Sequence, residues 1–214
     1  AGVLLNAVQA GFGELGEPYG LAEGTTNSGG GGPVISGTDS RRNKPFVNQL
    51  IFSAGGAPGV YGHDGWLTYS SNVSAAVTRR DSIELAEQKY PLLIGRHEFT
   101  TDSAGAGKWR GAPGVTTTYH ARDDPVTFTY LWGDGHQCPP RGILGGGAGA
   151  PASLSKQHPD GSVTPLDDPS DHPVTLSPSE TLHTQKPGGG GYGDPTDRER
   201  ELVTEDVENE IVSK

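Results

Sequence analysis

Cysteine is almost absent. The only one, Cys138, excludes an intrachain disulfide framework and fits a reducing compartment. No apolar run approaches the roughly 20 residues of a membrane-spanning helix and no signal peptide precedes the body, so a soluble, cytoplasmic chain with no membrane partner is expected. Basic residues are few, 16 against 26 acidic ones for a net charge of −10, and the only Arg pairs stand at 41–42 and 79–80. Nucleic-acid binding is therefore disfavoured. Hydrophobic residues make up only 32% of the 214, a thin core for that length, so some apolar surface is expected to be buried against another chain.

Glycine and proline take the vacant share, with 34 and 17 residues. They stand among tryptophans and periodic apolar runs, which points to an ordered, loop-rich β protein. The organising stretch is Tyr90–Val115. It opens as an extended apolar segment (Leu92, Leu93, Ile94, Phe99), passes through a loop holding Gly105, Gly107, Gly111 and Gly114, and re-enters a β-branched run from Val115 to Tyr119. Pro91 and Pro113 mark its boundaries, since proline pushes the preceding residue into extended geometry.

Taken in order, residues 2–12 place Val3, Leu4, Ala7, Val8 and Phe12 at helical spacing. GFGELG (11–16) matches a dinucleotide fingerprint in letters only, because a helix precedes it and Pro18, Gly20 and Gly24 prevent one following. Residues 24–45 read as a flexible loop or hairpin tip and Phe46–Phe52 as a strand. In the glycine loop that follows, His63 and Asp64 admit two readings: an exposed polar site, or an Asx-type turn with a solvated imidazole. Trp66 and Tyr69 read as core in preference to a ligand wall. RDSIELAEQK (80–89) suits an edge strand or a helical turn. SAGAGKW has Asp102 and Trp109 where a phosphate loop needs Gly and Ser/Thr, so no nucleotide site is assigned.

Val126–Trp132 alternates as a strand and delivers GDGHQCPPRGILGG (133–146). Its His136 and Cys138 supply two potential ligands where zinc takes at least three; a packed loop with a substrate contact from His136 is the alternative. Short β-prone pieces at 152–155, 162–164, 174–176 and 181–183, with an HPDGS hairpin signal, suggest a small antiparallel unit. In PGGGGYGDP (187–195) the bare backbone of Gly188, Gly189, Gly190 and Gly191 suits either an oxyanion or carboxylate, or a tight crossing where side chains do not fit. Thr196 and Glu199 fit a capping box ahead of a last helix striped by Val203, Val207 and Ile211.

GHDGW (62–66), RDSIELAEQKYP (80–91), the Tyr90–Val115 stretch, GDGHQCPPRGILGG and PGGGGYGDP, in that order, resemble the C-terminal part of the hydantoinase B/5-oxoprolinase family. That family includes N-methylhydantoinase B chains and ketone-carboxylase subunits. The resemblance covers nearly the whole chain. Together with Ala1 and the absence of methionine, it leads us to expect a piece of a longer polypeptide, from a split gene or a cleaved product. It implies an α+β, predominantly β fold of glycine-rich antiparallel strands and long loops, with a short helix at each end, completed by a partner chain. Three regions are expected: 1–45, a helix and glycine-rich loop; 46–150, a central β region; and 151–214, a small β unit, glycine loop and helix.

For function, the resemblance implies a component of an ATP-dependent cyclic-amide hydrolase acting on a hydantoin, oxoproline or lactam. The alternatives are a ketone-carboxylase subunit or a non-catalytic β scaffold. The implied partners are an N-terminal hydantoinase B-type chain, a hydantoinase A-type ATP-binding chain and a small-molecule substrate. No cofactor is expected on this chain; ATP with Mg and a divalent Zn or Mn ion would sit on the partners. Carried over as substrate contacts are His63, Asp64, Asp102, Arg110, His136 and Gly188 to Gly191. No nucleophile–base pair emerges from the residues, so catalytic residues stay unassigned.

Overall fold

Two antiparallel sheets carry the apolar core, and a glycine assembly extends from one end of them. The computed structural model describes residues 2–25, 33–51, 55–67, 81–129, 134–166, 168 and 171–214. The strands are β1 (Val34–Asp39), which lies in the 24–45 stretch whose sequence reads as a flexible loop or hairpin tip, β2 (Lys44–Gln49), β3 (Leu92–Phe99), β4 (Val115–Ala121), β5 (Val126–Thr129), β6 (Ser153–Gln157), β7 (Val163–Pro165), β8 (Val174–Leu176) and β9 (Thr181–Gln185). One sheet has the order β2-β1-β5-β8, the other β3-β4-β9-β6-β7, and every pairing is antiparallel.

The inward faces supply the core. Ile35, Val126, Phe128, Val174 and Leu176 of the first sheet meet Leu92, Tyr119, Leu154 and Leu182 of the second. The rings of Tyr119 and Phe128 lie 5.2 Å apart across the interface. The period of two in β4 and β5 puts these residues inside. The short late pieces read as a small antiparallel β unit are antiparallel strands of both sheets: β6, β7 and β9 join β3 and β4, while β8 pairs with β5. The HPDGS signal is the β6–β7 turn, with Gly161 at φ 86°.

Among the described residues three α-helices flank this body: α1 (Gly2–Gly13), α2 (Ile83–Lys89) and α3 (Arg200–Glu208). Within the 80–89 stretch Ile83–Lys89 is helical, because Ser82 caps α2 by accepting the Leu85 N–H at 3.2 Å and Ala86 drops into the core. The expected capping box before α3 does not form. Asp194 instead accepts the Thr196 N–H at 2.8 Å, opening a single 3-10 turn over Pro195–Asp197, and Glu199 begins α3 with no side-chain cap. Val203 is exposed, Ile211 lies beyond the helix, and the residue α3 buries is Asp206.

Phe52 and Trp132, at the ends of their expected strands, and Tyr69, expected in the core, lie outside the described residues. Trp66, expected in the core, is 70% exposed. Among the described residues no helix is long and apolar enough to cross a membrane.

Candidate functional site

The motif loops converge on Gly188–Gly191. The Gly188 N–H donates to Ala150 O and that of Gly191 to Gly147 O, so donors three residues apart reach acceptors three apart on one neighbour. Gly56 and Gly59 repeat this spacing against Pro187 O and Gly190 O. A repeat of three without internal hydrogen bonds is that of a polyproline-II-type helix. The remaining two amides, Gly189 and Gly190, donate to Ala112 O and Glu23 O, while Gly105 donates to Gly189 O. The glycine run is therefore a central strut bonded to at least five surrounding segments.

No side chain fits there. A methyl group on Gly188 would overlap the Ser103 carbonyl oxygen, on Gly189 that of Ala57, on Gly190 that of Arg141 and on Gly191 that of Ala106. Of the two sequence readings, the tight crossing is the one the structure adopts. All four N–H groups already serve carbonyls and have none to offer an anion, which corrects the oxyanion alternative.

Asp64 and Arg110 come together, but not with His63. His63 exchanges backbone hydrogen bonds with Val60 around Gly62 (φ 86°), and its imidazole is exposed. Asp64 turns inward. Its carboxylate accepts both Nη atoms of Arg198 at 2.8 Å and the Arg110 N–H at 2.8 Å. Asp206 closes the square, accepting Arg198 Nη2 at 2.7 Å and Arg110 Nε at 2.6 Å. The side chains of Arg198 and Asp206 are each only 7% exposed. Burial by itself would lower the Arg198 pKa, but hydrogen bonding and charge from Asp64 and Asp206 raise it, so the guanidinium stays charged. Two cations and two anions make the quartet neutral, and it bolts the His63 loop and α3 to the glycine assembly.

Asp102 has a different task. At φ 59° it accepts the Ser213 N–H at 2.9 Å, its own N–H bonds Ile211 O, and Thr101 bonds Glu210 O. The Ser213 backbone hydrogen bond lowers its pKa. This clamp fixes the chain after α3. His136 ends a 3-10 turn over Asp134–His136, half-buried, with Cys138 exposed two residues on. Among the described residues no group of three or more His, Cys, Asp or Glu side chains is placed to hold a metal ion.

Sequence reasoning missed Arg198, Asp206, Glu23, Arg141 and Lys186. Glu23 and Arg141 form a forked pair (2.7 and 3.1 Å) beside a cavity of about 240 Å³ lined by Ala10, Gly11, Glu14 and Ile143 as well. Burial pulls the Glu23 pKa up, but the Arg141 hydrogen bonds and charge outweigh it, so the carboxyl titrates below its usual range.

Lys186 is buried at the end of β9, and burial lowers its pKa from 10.5 to about 8. The unfolded chain keeps this proton up to about pH 10.5 and the folded chain releases it near pH 8. Below pH 8 the fold therefore carries the whole burial cost, roughly 3 kcal/mol, and regains it as pH rises to 10.5. Urea unfolding across that window should show the wild type gaining stability relative to Lys186→Met, with the variant more stable at pH 7. Parallel curves would refute this.

The family described as Hydantoinase B/oxoprolinase matches residues 8–195. The caprolactamase beta subunit of Pseudomonas jessenii is 33% identical over 84% of this chain and 31% of its own length. A putative D-/L-hydantoinase B subunit of a Pseudomonas species is 31% identical over 85% of this chain and 29% of its own. The chain thus spans about a third of the length of these two relatives. Among solved structures, the ATP-dependent caprolactamase of Pseudomonas jessenii superposes with a TM-score of 0.71 at 25% identity, covering 94% of this chain and 35% of that one. An acetone carboxylase structure, nucleotide-free, shares the fold with a TM-score of 0.67 at 18% identity, covering 85% and 28%. The chain belongs to the hydantoinase B/oxoprolinase family.

Proposed function

We propose that this chain serves as the C-terminal portion of a hydantoinase B-type component in an ATP-dependent hydrolase of cyclic amides. The observation that carries this reading is the 33% identity to the caprolactamase beta subunit over 84% of this chain. An amide oxygen is a poor leaving group, and phosphorylation makes it a good one. ATP would be bound by an A-type chain, and a divalent metal would sit on the rest of the B-type component. The reaction would take place in the cytoplasm.

This chain's own part in that reading is to position groups. Asp64, Arg110, Asp102 and Gly188–Gly191 already have protein partners and act by holding the loops rigid. His63 and His136 are the imidazoles those loops carry toward a substrate. A rigid backbone lattice suits that task, since small misplacements of a positioning group are costly to rate.

The test is ADP release by the chain assembled with its B-type and A-type partners. Turnover should depend on a lactam or hydantoin and not on bicarbonate, and His63→Ala with His136→Ala should lower it at least tenfold with assembly intact. Turnover requiring a ketone and bicarbonate would move the chain to the carboxylases. Unchanged turnover in the double variant would leave a scaffold role only.

A further inference from the structure

Helix α1 is built inside out. Its inner side is polar or bare: Asn6 is 8% exposed and donates to Gly24 O at 3.2 Å, while Gly13 lies against the Ile143 side chain and under Gly20. Its outer side is apolar, with Leu4 71%, Val8 47% and Phe12 54% exposed, continued past the helix by Leu15 (66%) and Tyr19 (54%). Steps of four residues place the first three on one stripe. The helix GVLLNAVQAGFG carries no charge to keep that stripe in water, the reverse of a surface helix.

The apolar surface runs on. Leu21 bridges to Val60, Tyr192 Oη donates to Tyr19 O, and the exposed Tyr61 packs on Trp109 at 4.8 Å. Beside the stripe opens the cavity of about 240 Å³ lined by Ala10, Gly11, Glu14, Glu23, Arg141 and Ile143. Arg141 occupies Glu23, whereas the Glu14 carboxylate has no ion-pair partner among the described residues.

We infer that this surface seats the remaining portion of a hydantoinase B-type chain, through an apolar face that carries a lysine or arginine into the cavity beside Glu14. The identity of the occupant rests on the proposed function. Three observations select it. The chain spans only 31% and 29% of the relatives it resembles, so roughly two-thirds of such a polypeptide has no counterpart here to cover α1. The stripe is uncharged and apolar, like a domain core cut open, which marks permanent interfaces. A second copy is opposed by the net charge of −10 and by the unpaired acid at the stripe's end.

The experiment measures binding of this chain to a hydantoinase B-type polypeptide that lacks the region this chain matches, by light scattering on a size-exclusion column and by titration. The wild type should be monomeric alone and form a one-to-one complex. Leu4→Lys with Phe12→Lys should weaken it about 100-fold and Glu14→Gln about tenfold. Circular dichroism melts should not move, because these side chains are exposed. Equal binding by the double variant, no complex with wild type, or a homodimer that the double variant abolishes would each overturn the inference. A complex that forms through α1 yet turns over no cyclic amide would defeat the functional reading and leave this one standing.

Discussion

Gly189→Ala is expected to cost about 3 kcal/mol or more and to prevent cooperative folding near physiological temperature. The added methyl group would overlap the Ala57 carbonyl oxygen and press on the backbone of Gly56. Neither is a flexible side chain that can swing away. Relief requires separating struts, and Gly189 both donates to Ala112 O and accepts from Gly105, so those hydrogen bonds go with it. Overpacking a core costs about 1–3 kcal/mol when side chains can adjust, and backbone cannot. Gly11→Ala is the control: nothing lies within 4 Å of its added methyl and the residue is inside α1, so it should gain up to ~1 kcal/mol of helix propensity. Opposite signs for one chemical change, read by thermal unfolding, test the packing directly. A Gly189→Ala protein melting within a few degrees of wild type would mean that the struts are not in contact.

This assembly also answers what the composition posed. A chain with 32% hydrophobic residues has too little side chain to fill a core of its length. Here backbone fills part of it, each amide bonded to a carbonyl of another strut at a net gain of about 1 kcal/mol. Ala57 and Ala112 add a small apolar contact there, and the buried Tyr192 packs on Trp109. Glycine abundance, elsewhere a mark of loops, is in this chain the condition for packing.

What the sequence disclosed was what neighbours within a few residues decide. The alternation in Val115–Tyr119 and Val126–Thr129 became β4 and β5, the 2–12 spacing became α1, and HPDGS became a turn. β1 escaped notice because Val34–Asp39 follows a glycine run and holds Gly37. Which face of α1 points inward was also hidden, since Asn6 and Gly13 face inward on account of Gly24, Gly20 and Ile143. The site was less legible still. Asp64 and Arg198 are 134 residues apart, and Arg198 stands in TDRERE, which reads as a solvated charge run. Asp206 looks like any acid on a helix. Nothing local distinguishes a charge that will meet a buried counterion from one that will meet water.

Asp206→Asn is the second large effect expected, a loss of roughly 3–5 kcal/mol. The substitution keeps the shape and deletes one charge, leaving Arg198 and Arg110 to share Asp64 in a site where the Arg198 and Asp206 side chains are 7% exposed and that of Arg110 is 12%. The cost is that of an uncompensated buried cation and exceeds the worth of the lost hydrogen bonds alone. A second substitution makes the argument quantitative. Arg110→Met with Asp206→Leu removes one charge of each sign and leaves the Asp64–Arg198 fork, at 2.8 Å on both arms, neutral by itself. The double variant should therefore be more stable than the sum of Arg110→Met and Asp206→Leu by at least ~1.5 kcal/mol in a double-mutant cycle on urea midpoints. Additive losses would show that the four groups act independently. Hydrogen exchange adds the location: in Asp206→Asn, amides of α3 should open first, while the Asp102–Ser213 clamp still tethers the chain beyond it.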